Sequence, residues 1–156
     1  MRASRLDQHS MPRRVLFLCT HNSSRSQMAE GFLRARGGSH YAVWSAGTRP
    51  SAIHPLAIRA MSEVGIEIGE AAGHSSKGLD AVTGQVFDLV VTVCDSAAEE
   101  CPYFPGARRQ EHWSFPDPSA VSGSEEQRLD AFRRVRDAIG ARIDAFLADE
   151  RAGVSQ

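Results

Sequence analysis

The chain of 156 residues reads as a single α/β domain, a four-stranded, mostly parallel sheet with helices on both faces. Three observations carry that reading. Strand-like apolar runs alternate with stretches of helical periodicity, the pattern that returns each strand parallel to the last. No repeat, low-complexity tract or linker interrupts the alternation. A chain of this length with 42% hydrophobic residues can also bury a substantial core.

Residues 1–12 are polar, lack the apolar segment of a secretory signal and read as a flexible N-terminal extension. The domain is expected over 13–149, with 150–156 as a flexible tail. Val15-Leu16-Phe17-Leu18 is the first strand, ending at Cys19. A helical pattern follows from Ser26 to Arg36. Tyr41-Ala42-Val43-Trp44-Ser45 is the second strand, closed by Ala46-Gly47. Pro55 suits the first turn of a helix that runs to about Val64, before Gly65. Phe87 to Val93, rich in β-branched residues, is the third strand and ends at Cys94. A short fourth strand fits Arg109 to Trp113. Leu129, Phe132, Val135, Ile139, Ile143 and Phe146 then mark a long helix over Ser124–Asp149, with Ser124 and Gln127 as a capping box.

Charge and cysteine use narrow the function classes. A formal net charge of −1 does not favour nucleic acid or an anionic membrane surface. No apolar stretch approaches the roughly 20 residues of a membrane span. The expected protein is cytoplasmic and monomeric, and its three cysteines, an odd number, point to thiol chemistry or a metal before a disulfide scaffold. Zinc is disfavoured because no C-x₂-C pair exists and the histidines are not at ligand spacing. No bound cofactor or metal is expected.

The chemistry concentrates in Cys19-Thr20-His21-Asn22-Ser23-Ser24-Arg25-Ser26. The cysteine stands where a strand gives way to a helix, at the mouth of a backbone loop. Successive N–H groups of such a loop converge on an anion, and the helix N-terminus adds its partial positive charge. The same field favours a thiolate, which makes the cysteine a nucleophile. Arg25 adds a planar fork matching two oxygens of a tetrahedral oxyanion. In an open parallel sheet, ligands bind beyond the carboxyl ends of strands, so Cys19 and Cys94 belong to one crevice. A packing role, as a small buried hydrophobe, is the alternative for Cys94.

Cys101 follows Cys94 by seven positions, about 10.5 Å along a regular helix. A disulfide needs Cα atoms within roughly 7 Å, so that pair can close only if Asp95 to Glu100 leaves helical geometry. Pro102 and Pro105 make the flank a loop, where such a change costs little. A lone surface thiol is the alternative for Cys101. Asp117, between Pro116 and Pro118, is a carboxyl on stiffened backbone, suited to act as general acid to a departing oxygen, or else an ordinary turn aspartate.

With Cys19-x₅-Arg25-Ser26, Asp117-Pro118 and Cys94/Cys101 together, the chain resembles the thioredoxin-coupled arsenate reductases, which share the low-molecular-weight tyrosine phosphatase fold. The similarity spans about Arg13 to Leu147 and rests on CTHNSSRSQMAEGFLR, VTVCDSAAEECPYFPG and EHWSFPDPS. It implies reduction of arsenate to arsenite in arsenic detoxification, with electrons from thioredoxin and with phosphate or sulfate as substrate mimics. Glutaredoxin or a small thiol is the alternative donor. The resemblance implies that the loop from Thr20 to Ser26 binds arsenate, Cys19 attacks it and Asp117 protonates the leaving hydroxide. Cys94 then attacks Cys19, and Cys101 attacks Cys94 to leave a Cys94–Cys101 redox disulfide. Ser26 would hydrogen-bond the Cys19 thiolate and Asn22 would hold the loop's shape.

Two departures stand out. Ser24 occupies a position where some members have a further cysteine. Some members also bind potassium through residues matching Asn22, Glu30, Ser45, Ser75 and an acidic side chain, and here Lys77 replaces the acid. Its ammonium is expected to take the cation's place and pair with Glu30, unless Glu30 is simply a solvated helix residue. Activity should therefore not change when sodium is replaced by potassium in the assay, and a several-fold rise would overturn this.

The nearest rival is a low-molecular-weight protein tyrosine phosphatase, because phosphate and arsenate fit the same cradle. Phosphatases of this fold do not need the Cys94/Cys101 pair and usually carry an aromatic residue after Asp-Pro, where this chain has Ser119. Weak phosphatase activity is expected as a by-product. A non-catalytic anion-binding or thiol-sensing module is the remaining class.

Overall fold

The computed structural model describes residues 11–95 and 103–154. Four strands, β1 (Arg13–Cys19), β2 (Tyr41–Gly47), β3 (Leu89–Thr92) and β4 (Gln110–His112), form one sheet in the order β2-β1-β3-β4. All three pairings are parallel, with Cys19 opposite Gly47 and Leu18 opposite Thr92. The helices are α1 (Arg25–Gly37), α2 (Pro55–Ser62) and α3 (Glu125–Val154). This is the expected single-domain α/β architecture with a parallel sheet; among the described residues the three α-helices all pack on one of its faces.

Alternation along β1 decides where each layer packs. Val15, Phe17 and Cys19 face one cluster with Met28, Phe32 and Leu33 of α1, Ala57 and Met61 of α2, and Leu129, Phe132 and Ile139 of α3. Leu16 and Leu18 face the opposite way, against Ala46, Val82, Phe87, Val90 and Phe104. Among the described residues that second face is covered by the segment around a 3₁₀ turn at Leu79–Ala81.

Local signals set the ends of the helices. Ser124 N–H donates to Gln127 Oε1 at 2.8 Å, and Gln127 N–H donates to Ser124 Oγ at 3.1 Å, so the capping box forms in both directions. At α2, Pro55 takes the first position and His54 Nδ1 accepts the Leu56 N–H at 3.1 Å. The third strand is shorter than the run Phe87–Val93, and α2 stops at Ser62 rather than near Val64. The main difference is at the C-terminus. α3 continues past Asp149 to Val154, so most of the expected tail is helical. Ala148, Arg151 and Ala152 are strong helix formers, and Glu150 pairs with Arg13 of β1.

Candidate active site

Cys19 ends β1 and is 2% exposed, with α1 beginning at Arg25. The intervening loop is held from outside by its carbonyls. The Thr20 carbonyl accepts from Arg49 N–H at 2.8 Å, and the Ser23 carbonyl from His54 N–H at 2.9 Å. The His21 carbonyl accepts from Ser51 N–H and from Ser76 Oγ, and the Ser24 carbonyl from Met28 N–H. A planar trans peptide points its carbonyl and the following N–H in opposite directions. Carbonyls turned outward therefore turn the N–H groups of His21, Asn22, Ser24 and Arg25 inward, a concave set of donors of the kind that can hold an anion.

Gly47 allows the loop to lie where it does. A Cβ at that position would come within 2.5 Å of the Thr20 carbonyl oxygen and 2.8 Å of Asn22 N. Both are backbone atoms, so no side-chain movement could relieve the clash. Asn22 also takes a left-handed conformation, with φ of 51°, which asparagine tolerates better than most residues.

Two donors converge on the sulfur. Asn22 N–H lies 3.3 Å from Cys19 Sγ, and Ser26 Oγ lies 2.9 Å from it. The direction of the second bond follows from its neighbour. Asn22 Nδ2 donates to Ser26 Oγ at 2.7 Å, so the serine's own proton is free to point at the sulfur. Asn22 is fixed in turn, because its Oδ1 accepts from Gln27 Nε2 at 2.9 Å and from Lys77 N–H at 2.8 Å. Gln27 Nε2 also donates to the Ser75 carbonyl, while its Oε1 accepts from His74 Nδ1 at 3.0 Å. Burial holds His74 below the usual imidazole range, with nearby Glu30 acting in the opposite sense. Both bonds to Sγ strengthen when the sulfur is charged.

Arg25 is 3% exposed, and its Nη1 donates to the Phe115 carbonyl at 3.1 Å. Its Nη2 lies 3.9 Å from Asp117 Oδ2. The other carboxylate oxygen of Asp117 accepts from Ser119 N–H at 2.9 Å and from Ser119 Oγ at 2.7 Å. Asp117 therefore caps the short turn Pro118–Ala120 with one oxygen and faces the arginine with the other. Cys19, His21, Ser23, Ser24, Arg25, Asp117 and Ser119 line one small cavity.

Cys94 follows β3 and is fully buried in the same cluster as Cys19. β3 is the neighbour of β1, and Val93 N–H donates to the Leu18 carbonyl at 2.9 Å. Cys19 is a free thiol, whereas Cys94 is disulfide-bonded. Cys101 lies outside the described residues, and the expected Cys94–Cys101 pairing falls there with it.

The expected Lys77–Glu30 pair is replaced by a different one. Glu30 is 3% exposed and pairs with Arg34 at 2.7 Å, while Ser45 Oγ donates to its other oxygen. Lys77 Nζ donates instead to the Ser75 carbonyl. The reason is helical spacing, since Arg34 sits one turn beyond Glu30 on the same face of α1. Burial pulls the Lys77 ammonium below its usual range, and Glu30 opposes that shift. Glu30 is thus no solvated helix residue, and two cationic side chains act on it.

The sequence reading missed Gln27, His74 and Gly47, and it read Ser119 only as a missing aromatic. Gln27, His74 and Gly47 act through contacts between segments distant in sequence, whereas Ser119 acts locally, on Asp117 two residues before it. The one signal available was Gln27, a polar residue directly after Arg25-Ser26 in a helix start that also packs against the core.

The family described as low molecular weight phosphotyrosine protein phosphatase matches residues 14–155. An arsenate reductase from Halalkalibacterium halodurans is 45% identical over 132 residues, which cover 85% of this chain and 93% of the relative. Among solved structures, an arsenate reductase in the phosphate binding state is 34% identical with a TM-score of 0.73, covering 88% of this chain and 98% of its own. A thioredoxin-dependent arsenate reductase from Corynebacterium glutamicum is 27% identical with a TM-score of 0.63, covering 99% of this chain and 72% of its own.

Proposed function

We propose that this chain, which belongs to the low molecular weight phosphotyrosine protein phosphatase family, reduces arsenate to arsenite with electrons from thioredoxin. One observation carries the choice of reductase over hydrolase. A second buried cysteine, Cys94, stands at the same sheet edge as the loop nucleophile, one strand away. Phosphate-ester hydrolysis needs a thiolate, an arginine and an acid, and has no use for that second sulfur.

The Cys19 thiolate attacks arsenic(V) held by the loop N–H groups and Arg25. Asp117 gives a proton to the departing oxygen, water leaves and a sulfur–arsenic bond forms. The Cys94 thiolate then attacks Cys19 Sγ. The electron pair of the sulfur–arsenic bond passes to arsenic, arsenite departs and a Cys19–Cys94 disulfide remains. Cys101 attacks Cys94, which releases the Cys19 thiolate and leaves Cys94–Cys101. Two electrons from the thioredoxin dithiol reopen that bond. Each turnover consumes one arsenate and one dithiol, and yields arsenite, water and oxidised thioredoxin.

Phosphate esters fit the same cradle, so slow hydrolysis accompanies the main reaction. Ser119 offers no ring to hold an aryl group, and its hydroxyl is already committed to Asp117. Among the described residues no helix is long and apolar enough to cross a membrane. The proposed setting is the cytoplasm, where thioredoxin operates, with the chain acting as a monomer.

The test is a coupled assay with arsenate, thioredoxin, thioredoxin reductase and NADPH in buffer low in phosphate. Steady NADPH consumption that depends on arsenate is expected. Rapid ester hydrolysis without that consumption would make the chain a phosphatase.

A further inference from the structure

One polar atom of the site has no partner. Ser24 Oγ is the single buried side-chain nitrogen or oxygen without a hydrogen bond among the described residues, and Ser24 is 4% exposed. A serine just before a helix ordinarily turns its oxygen onto an N–H of the first turn. Ser24 precedes α1 but makes no such bond, and only its carbonyl serves the helix, accepting from Met28 N–H. The polar groups around it are committed elsewhere. Ser26 Oγ bonds Cys19, Asn22 bonds Ser26 and Gln27, and Arg25 bonds the Phe115 carbonyl. Ser24 lines the cavity that also holds Cys19, Arg25 and Asp117. A buried hydroxyl without a partner is destabilising, so its persistence calls for a group that completes it.

We propose that the Ser24 side chain is itself a ligand of the tetrahedral oxyanion, donating Oγ–H to one of its oxygens beside the loop N–H groups and Arg25. The inference rests on the oxyanion reading of the site and deepens it. A hydroxyl differs from the fixed amides in two ways. It rotates to follow an oxygen, and it can accept when that oxygen carries a proton, which neither an amide N–H nor a guanidinium can do. The anion's charge is already present before reaction, so this bond holds substrate as strongly as transition state. Such a contact is read in KM and not in kcat.

The test compares Ser24→Ala with the unchanged chain, using inorganic phosphate as the probe in calorimetry and arsenate in the coupled assay. Loss of one hydroxyl bond to an anion should weaken phosphate binding and raise the arsenate KM by about three- to tenfold, while kcat stays close to that of the parent. Without anion, Cys19 alkylation by iodoacetamide should not change, and the melting temperature should hold or rise as the unpartnered hydroxyl is removed. Unaltered phosphate affinity in the variant would overturn the proposal. So would a loss of affinity accompanied by altered alkylation or a lowered melting temperature, because Ser24 would then be shaping the loop. Failure of the parent chain itself to bind phosphate would instead remove the oxyanion reading beneath it.

Discussion

Cys19→Ser is expected to abolish arsenate-dependent turnover and phosphate-ester hydrolysis together, each by roughly 10⁴-fold or more, as for other enzymes deprived of their nucleophile. In the proposed mechanism both reactions begin with the same sulfur, which is buried and receives hydrogen bonds from Asn22 N–H and Ser26 Oγ. A serine hydroxyl at that place stays protonated at neutral pH, and the groups bonded to the sulfur, Asn22 N–H and Ser26 Oγ, are donors and not bases. Phosphate binding should survive, because the loop N–H groups and Arg25 are untouched. Steady-state kinetics for both reactions, with calorimetry for phosphate, would check this. Unchanged turnover would leave a non-catalytic anion-binding module.

Cys101→Ser is expected to separate the two reactions. Hydrolysis should remain near the parent rate, since it uses only Cys19, Arg25 and Asp117. Reduction should stop after one arsenite per enzyme molecule, with Cys19 and Cys94 left joined. The physical reason is access. Cys19 is 2% exposed and Cys94 is fully buried, so a bond between them offers no sulfur to another protein's thiolate, which must approach along the S–S axis. A third sulfur has to carry the oxidation outward. Rapid-quench measurement of arsenite, with mass spectrometry of the trapped disulfide, would read the result. Equal loss of hydrolysis and reduction would assign Cys101 a structural role.

Much of this was legible in the chain itself. Val15 to Leu18 and Leu89 to Val91 are continuous apolar stretches, as strands of a sheet covered on both faces must be. A cysteine follows each, Cys19 directly and Cys94 after Thr92 and Val93, which marks the working edge of the sheet. The Ser124/Gln127 cap and Pro55 marked helix starts because their chemistry is local. What stayed hidden was carried by contacts between distant segments. Gln27 meets Ser75 and His74, and Gly47 meets the backbone of Thr20 and Asn22. Nothing in the spacing of those residues announces the contact. The expected Glu30 partner differs for another reason: the family resemblance points to Lys77, while Arg34, one helical turn away, is a local signal that the sequence itself carries.

The nucleophile loop is tied outward through its backbone carbonyls. Segments on its far side grip it at Thr20, His21 and Ser23, and α1 takes Ser24, all through bonds made within the chain itself. Its form is thus preset. An arriving ion sheds water and its own tumbling, but the chain around it has little left to order. Capture should proceed at the pace of encounter, with no slow adjustment of the host to follow.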